Sequence, residues 1–538
     1  MKLKEYMMLL SAAAMISSCD IDTFPEGDVL TDEQKKEVVA DDPSKIASDM
    51  NSLKSIMTQW TDNGMHTDFA FPAISLFTDC SGQDMVSDDH GYNWFSPGLT
   101  FKDRIPTAHT PNFMWKTYYT HIKAANDVLK VLLSIPEADR DAMTQNYIGQ
   151  ALASRAYDYM QLIQYFQFTY LGHEEALGLP IVDENTPDEK GFNNPRVPVK
   201  DVYTMIMEDL DQAIVNMEKN PVEVADKAQI TAAVAHGLRA RANMLMGRYA
   251  EAATDADQAL ILSGAVPYSM EEVSVPSFND ATAKSWMWGI VITEQNDVVQ
   301  TGIINWPSHL CSLTGNGYTT GTGVTFVFKR VNSALYAKLG AGDVRRGWWI
   351  DPETHDSPLL TNAWGINNDF IANNVLGFPY PDYTNLKFGP EAGEAFNPNN
   401  AQDWPLMRAE EMLLIKAEAL GRANGVGAGK AVLEGFVKTY RDADYQCKAA
   451  SLNDFIDEVW VQRRLELWGE GFSLQDILRL KKPVVRKGAN FNKNVTYEDL
   501  PAESPIFIFN IPEVETNVNK GIAEDQINEV ATVPTPLM

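Results

Sequence analysis

The chain has 538 residues, of which 45% are hydrophobic, and its 73 acidic residues outnumber 44 basic ones to give a net charge of −29. A chain of this length and apolar content can bury a large core without disulfides. The negative charge disfavours nucleic acid as a partner, and also an anionic membrane reached through a basic face, because like charges repel. The composition therefore indicates a large globular protein that does not act on nucleic acid.

The first 18 residues have the features of a secretory signal peptide. Lys2 and Lys4 precede an apolar run over 6–16, and small residues follow it. An aliphatic residue, two serines and a cysteine at 16–19 form a lipobox, the motif at which bacterial lipoproteins are cleaved and acylated. We therefore predict a signal peptide over 1–18, a lipidated Cys19 that anchors the protein to a membrane, and an acidic tether over 19–42. An ordinary secretory signal with a coincidental cysteine is the alternative.

Helical periodicity dominates the sequence from 43 to 266 and from 403 to 538. Apolar residues recur at spacings of three and four over 202–217, and similar stripes run over 230–245 and 252–260. Gly247, Tyr249, Ala252 and Ala259 have the spacing of a tetratricopeptide repeat, in which glycine turns between two helices and alanines let them approach. Further helices are predicted at 112–133, 146–170, 405–423, 429–440 and 452–469. We assign 43–266 to N-terminal helical repeats and 403–538 to C-terminal repeats and a tail.

The stretch over 267–402 differs from its surroundings. Gly, Asn, Pro and Thr recur every few residues, helical periodicity is lost, and six of the twelve tryptophans of the chain lie here. We predict an irregular, aromatic-rich insertion in a helical scaffold, and we expect ligand recognition there because loops carry function more often than repeats do.

Eight groups of residues, in order along almost the whole mature chain, resemble the SusD/RagB family of surface-exposed outer-membrane nutrient-binding lipoproteins. They are Ala153-Ser154-Arg155-Ala156-Tyr157; Arg196-Val197-Pro198; Glu208-Asp209-Leu210-Asp211-Gln212-Ala213-Ile214; Leu238-Arg239-Ala240-Arg241 with Gly247-Arg248-Tyr249; Asp343-Val344-Arg345-Arg346; Arg408-Ala409-Glu410-Glu411; Arg463-Arg464-Leu465-Glu466-Leu467; and Asn510-Ile511-Pro512-Glu513.

The resemblance implies a fold dominated by α-helices, a tetratricopeptide-like helical repeat scaffold that carries a large, loop-rich capping insertion. It also implies the place and the task of the protein. Members of the family are held on the cell surface by a lipid anchor in the outer membrane and catalyse no reaction. They capture oligosaccharides or polysaccharides, and occasionally peptides, and pass them to a SusC-like TonB-dependent transporter.

Candidate ligand-binding residues follow from sugar chemistry. A pyranose stacks its CH faces on aromatic rings, and its hydroxyl groups need polar partners. Trp286 and Trp288 would point the same way from a strand and could form one platform. The predicted carbohydrate-binding residues are Tyr92, Asn93, Trp94, Trp286, Trp288, Trp306, Tyr318 and Trp364. The resemblance favours Tyr92, Trp94, Trp288 and Trp306, because family members combine an N-terminal loop with the insertion. Four other tryptophans are assigned to the core: Trp115 and Trp468, which lie in predicted helices, and the adjacent pair Trp348 and Trp349.

We interpret the charged residues of the family-like motifs as structural and not as ligand-binding. Buried charges persist only when they are paired, so we expect inter-helix ion pairs that fix the geometry of the repeats. The residues concerned are Arg239, Arg241, Arg248, Glu411, Glu418, Arg463, Arg464, Glu466 and Glu470. The three cysteines after Cys19 are too far apart for a zinc motif or a disulfide framework, and we expect buried thiols.

Cofactors and enzymatic activity receive little support. Asp79, Asp84, Asp88 and Asp89 make calcium a candidate ligand by count alone, although the order of an EF-hand is missing, and no other cofactor is predicted. The motifs of nucleotide-binding proteins, zinc proteases and serine hydrolases are also missing. A secreted helical glycoside hydrolase, or a helical-repeat protein with only protein partners, remain the alternatives to a glycan-binding protein.

Overall fold

The computed structural model describes residues 43–59, 64–88, 92–223, 226–319 and 326–537. The predicted signal peptide, Cys19 and the tether lie outside the described residues. Within the described part of the chain the structure has eighteen α-helices and four short strands. The helices are α1 (Ala47–Ile56), α2 (Ala70–Ser81), α3 (Ser96–Thr100), α4 (His109–Leu132), α5 (Ala142–Phe166), α6 (Val199–Lys219), α7 (Ala232–Leu245), α8 (Tyr249–Ser263), α9 (Asp297–Gln300), α10 (Trp306–Leu310), α11 (Ser333–Tyr336), α12 (Pro358–Trp364), α13 (Asn368–Ile371), α14 (Ala409–Asn424), α15 (Val426–Tyr440), α16 (Leu452–Glu466), α17 (Ser473–Arg479) and α18 (Glu513–Val518). The strands are β1 (Met85–Val86), β2 (Trp286–Ile290), β3 (Arg330–Val331) and β4 (Trp404–Arg408).

The long helices stack in chain order. Each of α4 to α8 packs on the next, and α8 then packs directly on α14, which contacts α15 and α16. The chain between α8 and α14 therefore leaves the stack and returns to the same place. This arrangement confirms the predicted fold class, a helical-repeat scaffold with an irregular insertion. Among the described helices, none is long and apolar enough to cross a membrane.

The turn between α7 and α8 has the features expected of a tetratricopeptide repeat. Gly247 adopts a φ of +73°, a left-handed conformation that a side chain would strain, and it lies against Leu171. Ala252 and Ala259 are fully buried, so the two helices approach closely. The Thr231 side chain accepts a hydrogen bond from Val234 N and caps the start of α7. One predicted helix, at 405–423, begins later than expected, since 404–408 forms strand β4.

Two antiparallel ladders connect the insertion to the helical scaffold. In the first, β2 pairs with β4, which leads directly into α14. In the second, Met85 pairs with Val331 and Val86 with Arg330, so that β1 joins β3. The segment that follows β1 carries Trp94, and its position relative to the insertion is therefore fixed by backbone hydrogen bonds.

Ion pairs join the helices as predicted. Arg241 reaches from α7 to Glu411 on α14 (2.6 Å). Glu418 accepts a hydrogen bond from Arg479 on α17 (2.7 Å), and Arg464 on α16 donates to Asp84 (2.6 Å). The further pairs are Arg239 with Asp255, Arg463 with Asp476, Glu466 with Arg441 and Arg408, and Glu470 with Arg408 and Lys387. Arg248 is different, because among the described residues no carboxylate lies within ion-pair distance of its guanidinium.

The three cysteines of the described chain, Cys80, Cys311 and Cys447, are buried free thiols, as predicted. Trp115, Trp348, Trp349 and Trp468 are also buried, and their assignment to the core is confirmed.

Candidate functional site

Five aromatic side chains from three separate segments meet at the surface beside the insertion. We call His66, Tyr92, Trp94, His309 and Tyr318 the aromatic cluster. His66 precedes α2, Tyr92 and Trp94 follow β1, and His309 and Tyr318 belong to the insertion. Tyr92 is 45% exposed, Trp94, His66 and Tyr318 are half-buried, and His309 is buried beneath them. The cluster therefore offers aromatic surface to a ligand and is supported from below.

The rings of the aromatic cluster are stacked in two layers. Trp94 and His66 lie face to face, with ring centroids 4.4 Å apart and planes 16° apart. Tyr318 stacks on His309 (4.6 Å, 24°), and His309 in turn stacks on Phe69 (5.5 Å, 19°). A hydrogen bond between His66 Nδ1 and the Tyr318 hydroxyl joins the two layers.

The electrostatics of the aromatic cluster favour a neutral site. Burial raises the pKa of Tyr318 to about 12. Burial lowers the pKa of His66 and outweighs the negative charge of Asp68, which raises it. Burial also lowers the pKa of His309 well below its usual value. The three groups are thus uncharged at neutral pH, as suits a surface that stacks on neutral ligands.

Asn93 supports the loop of Trp94 instead of facing outward. Its side chain is buried and donates to Ser87 Oγ (3.2 Å) and to the Asp88 carbonyl (2.7 Å). Its Oδ1 accepts from Phe95 N (3.2 Å) and from Lys329 Nζ (3.3 Å). All four bonds are internal, so the prediction that Asn93 binds ligand hydroxyl groups is wrong in this structure, and Asn93 acts as a brace.

Three of the predicted platform tryptophans lie in the core. Trp286, Trp288 and Trp306 are each 1% exposed. Strand β2 is covered on both faces, and Trp288 packs edge-on against Tyr157 of α5 (5.0 Å). Trp306 packs edge-on against Trp404 (5.2 Å) and donates to the Gln402 carbonyl. A sugar cannot reach these rings, and the prediction that they form a stacking platform is wrong.

Trp364 is half-buried at the end of α12. Its Nε1 donates to the Gly393 carbonyl (3.0 Å), and among the described residues no ring contact joins it to the aromatic cluster. The structure brings together Tyr92, Trp94 and Tyr318 of the predicted set and leaves Trp364 apart from them.

Sequence reasoning missed several members of this surface. His66 gave no signal, because it lies in a short aperiodic segment 28 residues before Trp94. Phe326 and Phe378 were also missed, although their rings are half-buried and contact each other edge-on (4.7 Å). Val327 N donates to the Tyr318 carbonyl, which places this pair beside the aromatic cluster. A count of all aromatic residues in the insertion, and not of tryptophan alone, would have included them.

The carboxylates on the segments of the aromatic cluster, and those considered as calcium ligands, are engaged by other groups. Asp68 is buried and pairs with His109 (2.7 Å), and Asp88 pairs with Arg330 (2.9 Å) and accepts from Asn492. Asp84 binds Arg464 through both oxygens, while Asp79 accepts from the Gly471 and Ser473 amides. Among the described residues no group of three or more potential ligands is placed to hold a metal ion, and Asp89 lies outside them.

A helical-repeat scaffold with a loop-rich insertion and a neutral aromatic surface defines a class of ligand-binding protein. Comparison with family models identifies the family. A SusD-like model described as starch-binding and associating with the outer membrane matches residues 28–241, and the SusD family model that includes RagB matches residues 372–524. The chain belongs to the SusD/RagB family. Neither model matches 242–371, the region that holds most of the insertion and Tyr318.

Solved structures share the fold over almost their whole length. A SusD-like carbohydrate-binding protein from Bacteroides vulgatus has 22% identity and a TM-score of 0.72, covering 91% of this chain and 98% of its own. A SusD superfamily protein from Bacteroides thetaiotaomicron has 18% identity and a TM-score of 0.70 (89% and 98%). Surface glycan-binding protein A from the same species, solved with laminarihexaose, has 18% identity and a TM-score of 0.62 (89% and 98%). Among curated proteins, none matches the sequence significantly.

Proposed function

We propose that this protein captures an oligosaccharide or polysaccharide at the cell surface and passes it to a SusC-like TonB-dependent transporter in the outer membrane. The ligand stacks on Trp94, with Tyr92 and Tyr318 as neighbours. Cys19 carries the lipid anchor, and the protein itself catalyses no reaction.

The observation that carries the proposal is the aromatic cluster. Tyr92 and Trp94 come from the N-terminal loop and Tyr318 from the insertion, so that rings from two parts of the chain form one partly exposed surface. Aromatic faces of this kind suit the CH faces of a sugar ring. Individual stacking contacts are weak, and we expect a Kd between about 1 µM and 1 mM.

The relatives support a glycan as the ligand. One relative is a surface glycan-binding protein solved with laminarihexaose, and one matching family model is described as starch-binding. Laminarin and starch are therefore the first polysaccharides to test. The description of that family model as associating with the outer membrane supports the proposed location.

A binding role fits the carboxylates better than hydrolysis does. A glycosidase needs two carboxyl groups beside the sugar, one of them free to donate a proton. Asp68 is hydrogen-bonded to His109 and Asp88 is held in an ion pair with Arg330 instead. Incubation of the purified protein with laminarin or starch overnight should release no reducing sugar, and release that depends on the protein would contradict this part of the proposal.

The binding site is tested by electrophoresis through native gels that contain laminarin or starch. The wild-type protein should be retarded by at least one of the two, and Trp94→Ala should abolish the retardation. Trp364→Ala is the matched control, since Trp364 is also a half-buried tryptophan next to a helix end but lies apart from the cluster. Equal retardation of Trp94→Ala and wild type would exclude Trp94 as the platform.

Two further measurements test the anchor and the transporter. Cys19→Ala should move the protein from the membrane fraction to the soluble periplasmic fraction, because an unacylated chain has no anchor. A tagged wild-type protein should copurify with a TonB-dependent transporter from detergent-solubilised outer membranes, and its absence from the purified complex would contradict the proposed transfer.

A further inference from the structure

His66 contacts both layers of the aromatic cluster. It lies in neither the N-terminal loop of Trp94 nor the insertion of Tyr318, and yet it contacts both. We propose that His66 is a positioning residue that holds Trp94 and Tyr318 in the geometry required by the ligand. This inference rests on the proposed function, because the ligand is taken to stack on Trp94.

Each contact of His66 uses a different part of the imidazole. The ring face lies parallel to the Trp94 indole at 4.4 Å, a distance that gives a full stacking contact. The ring edge presents Nδ1 to the Tyr318 hydroxyl. Phenylalanine could reproduce the stack and not the hydrogen bond, while alanine could reproduce neither, so the two contributions can be separated by substitution.

The backbone of His66 is held as firmly as its side chain. His309 Nε2 bonds to the His66 carbonyl (2.9 Å), and His309 is itself packed between Phe69 and Tyr318. Two residues further on, Asp68 Oδ2 accepts from Met65 N (3.3 Å) and closes the turn that contains His66. The imidazole is therefore placed by the insertion and by its own segment before any ligand arrives.

This placement has a consequence for ligand access. His66 covers one face of the Trp94 indole, and His309 covers one face of the Tyr318 ring. A sugar can therefore stack only on the opposite face of either ring. A ring that is already fixed on one side loses little conformational freedom when a ligand stacks on the other, so the stack preorganises the site.

The first experiment compares four variants by isothermal titration with laminarihexaose and maltoheptaose. His66→Ala should weaken binding about tenfold, since it removes both a stacking contact and a hydrogen bond. His66→Phe and Tyr318→Phe should each weaken it a fewfold, and the double variant should be no weaker than either, because both changes remove the same hydrogen bond. Additive losses in the double variant would overturn the proposed connection.

The second experiment needs no ligand. With 5-fluorotryptophan incorporated, the ¹⁹F resonance of Trp94 is identified as the signal missing from Trp94→Phe. His66→Ala should shift and broaden this signal, whereas His66→Phe should keep it sharp. His173→Ala is the control, because His173 is a half-buried histidine beside another aromatic ring, Phe168. An unchanged Trp94 signal in His66→Ala would overturn the positioning role.

The two experiments separate this inference from the proposed function. If Trp94→Ala abolishes glycan binding while His66→Ala binds as the wild type does, the site stands and the role of His66 is refuted. If neither oligosaccharide binds the wild type, the proposed ligands fail, and the ¹⁹F signal alone decides whether His66 holds Trp94.

Discussion

Lys329 Nζ lies 3.3 Å from Asn93 Oδ1, so a buried cation of the insertion holds the residue next to Trp94. The same ammonium donates to Ser87 Oγ (3.1 Å), and Arg330 pairs with Asp88 on the same loop (2.9 Å). Burial lowers the pKa of Lys329, since it disfavours the charged ammonium, and among the described residues no carboxylate forms an ion pair with it. The loop of Trp94 therefore depends on polar contacts whose loss would leave a buried charge poorly satisfied.

Replacement of Asn93 tests this brace. Asn93→Ala removes four hydrogen bonds, one of them accepted from Lys329, and we expect a loss of about 1–3 kcal/mol in the free energy of unfolding, measured in urea. Glycan retention should fall as well, since Trp94 follows directly. Asn399→Ala, at an exposed asparagine of the insertion, should leave both quantities unchanged. Normal stability of Asn93→Ala would show that the loop is held by other means.

The tryptophans differ in what their removal costs. Trp288→Ala empties a fully buried site between β2 and α5 and should lower the free energy of unfolding by about 3–5 kcal/mol. Trp94→Ala, at a half-buried site, should cost about 1 kcal/mol, mostly the stack on His66. Urea denaturation of the two variants measures the difference. A Trp94 variant as unstable as the Trp288 variant would mean that Trp94 belongs to the core.

The helices could be predicted because the residues that a helix buries on one face recur every three or four positions in the sequence. The apolar stripe over 202–217 faces α5 and α7, and the structure places α6 over Val199–Lys219. The ion pairs of Arg241 and Glu418 could be predicted for a similar reason, since a charge inside a helix stack needs a partner.

The burial of the insertion could not be predicted in the same way. Trp286 and Trp288 do share a strand, but all five residues of that strand are buried. Trp288 packs on Tyr157 of α5 and donates to the Ala228 carbonyl, and the backbone of the strand bonds to β4 and to Lys227. An apolar run of five residues without alternating polar positions is typical of a strand buried on both faces, but a run this short cannot be told from a helix segment by periodicity alone. His66 depends on contacts between residues far apart in the chain, which leave no local pattern.

Glu466 is the carboxylate on which three arginines converge. Arg441 Nε lies 2.7 Å from it, Arg408 Nη1 3.4 Å and Arg345 Nη1 3.6 Å, all of them buried where the insertion meets α14 and α16. Burial disfavours the charge of Glu466, but Arg441, Arg408 and Arg345 outweigh it and hold its pKa well below the usual range.

Loss of Glu466 should therefore be costly. Glu466→Ala takes one shared carboxylate away from three buried guanidinium groups, and the carboxylates that remain beside them, Glu410, Glu470 and Asp343, balance their charge less well. We expect a loss of about 3–5 kcal/mol in the free energy of unfolding. Asp127→Ala, which removes an exposed pair with Lys123 on α4, should cost less than about 0.5 kcal/mol. Similar costs in urea denaturation would contradict the role of Glu466 as the centre of this junction.

Asp79 makes the free energy of unfolding fall as the pH rises, whereas a carboxylate in an ion pair makes it rise. Burial raises its pKa from 3.8 to about 7, although hydrogen bonds from the Gly471 and Ser473 amides oppose the shift. Between about pH 4 and pH 7 the folded protein keeps a proton on Asp79 that the unfolded chain releases. This group therefore favours folding fully at low pH, and its contribution is lost as the pH rises through that window.

Asp79→Asn removes this titration and leaves the fold otherwise similar in shape. The free energy of unfolding of the wild type minus that of Asp79→Asn should decrease as the pH rises from 4 to 7 and stay constant above that. Asp454→Asn is the control, because hydrogen bonds from Ser451 lower the pKa of Asp454, so its difference from the wild type should rise slightly just above pH 4, as the unfolded chain loses its remaining protons, and then stay constant. Urea denaturation at each pH measures both differences. A difference for Asp79→Asn that is constant, or that grows with pH, would mean that Asp79 is charged in the folded protein.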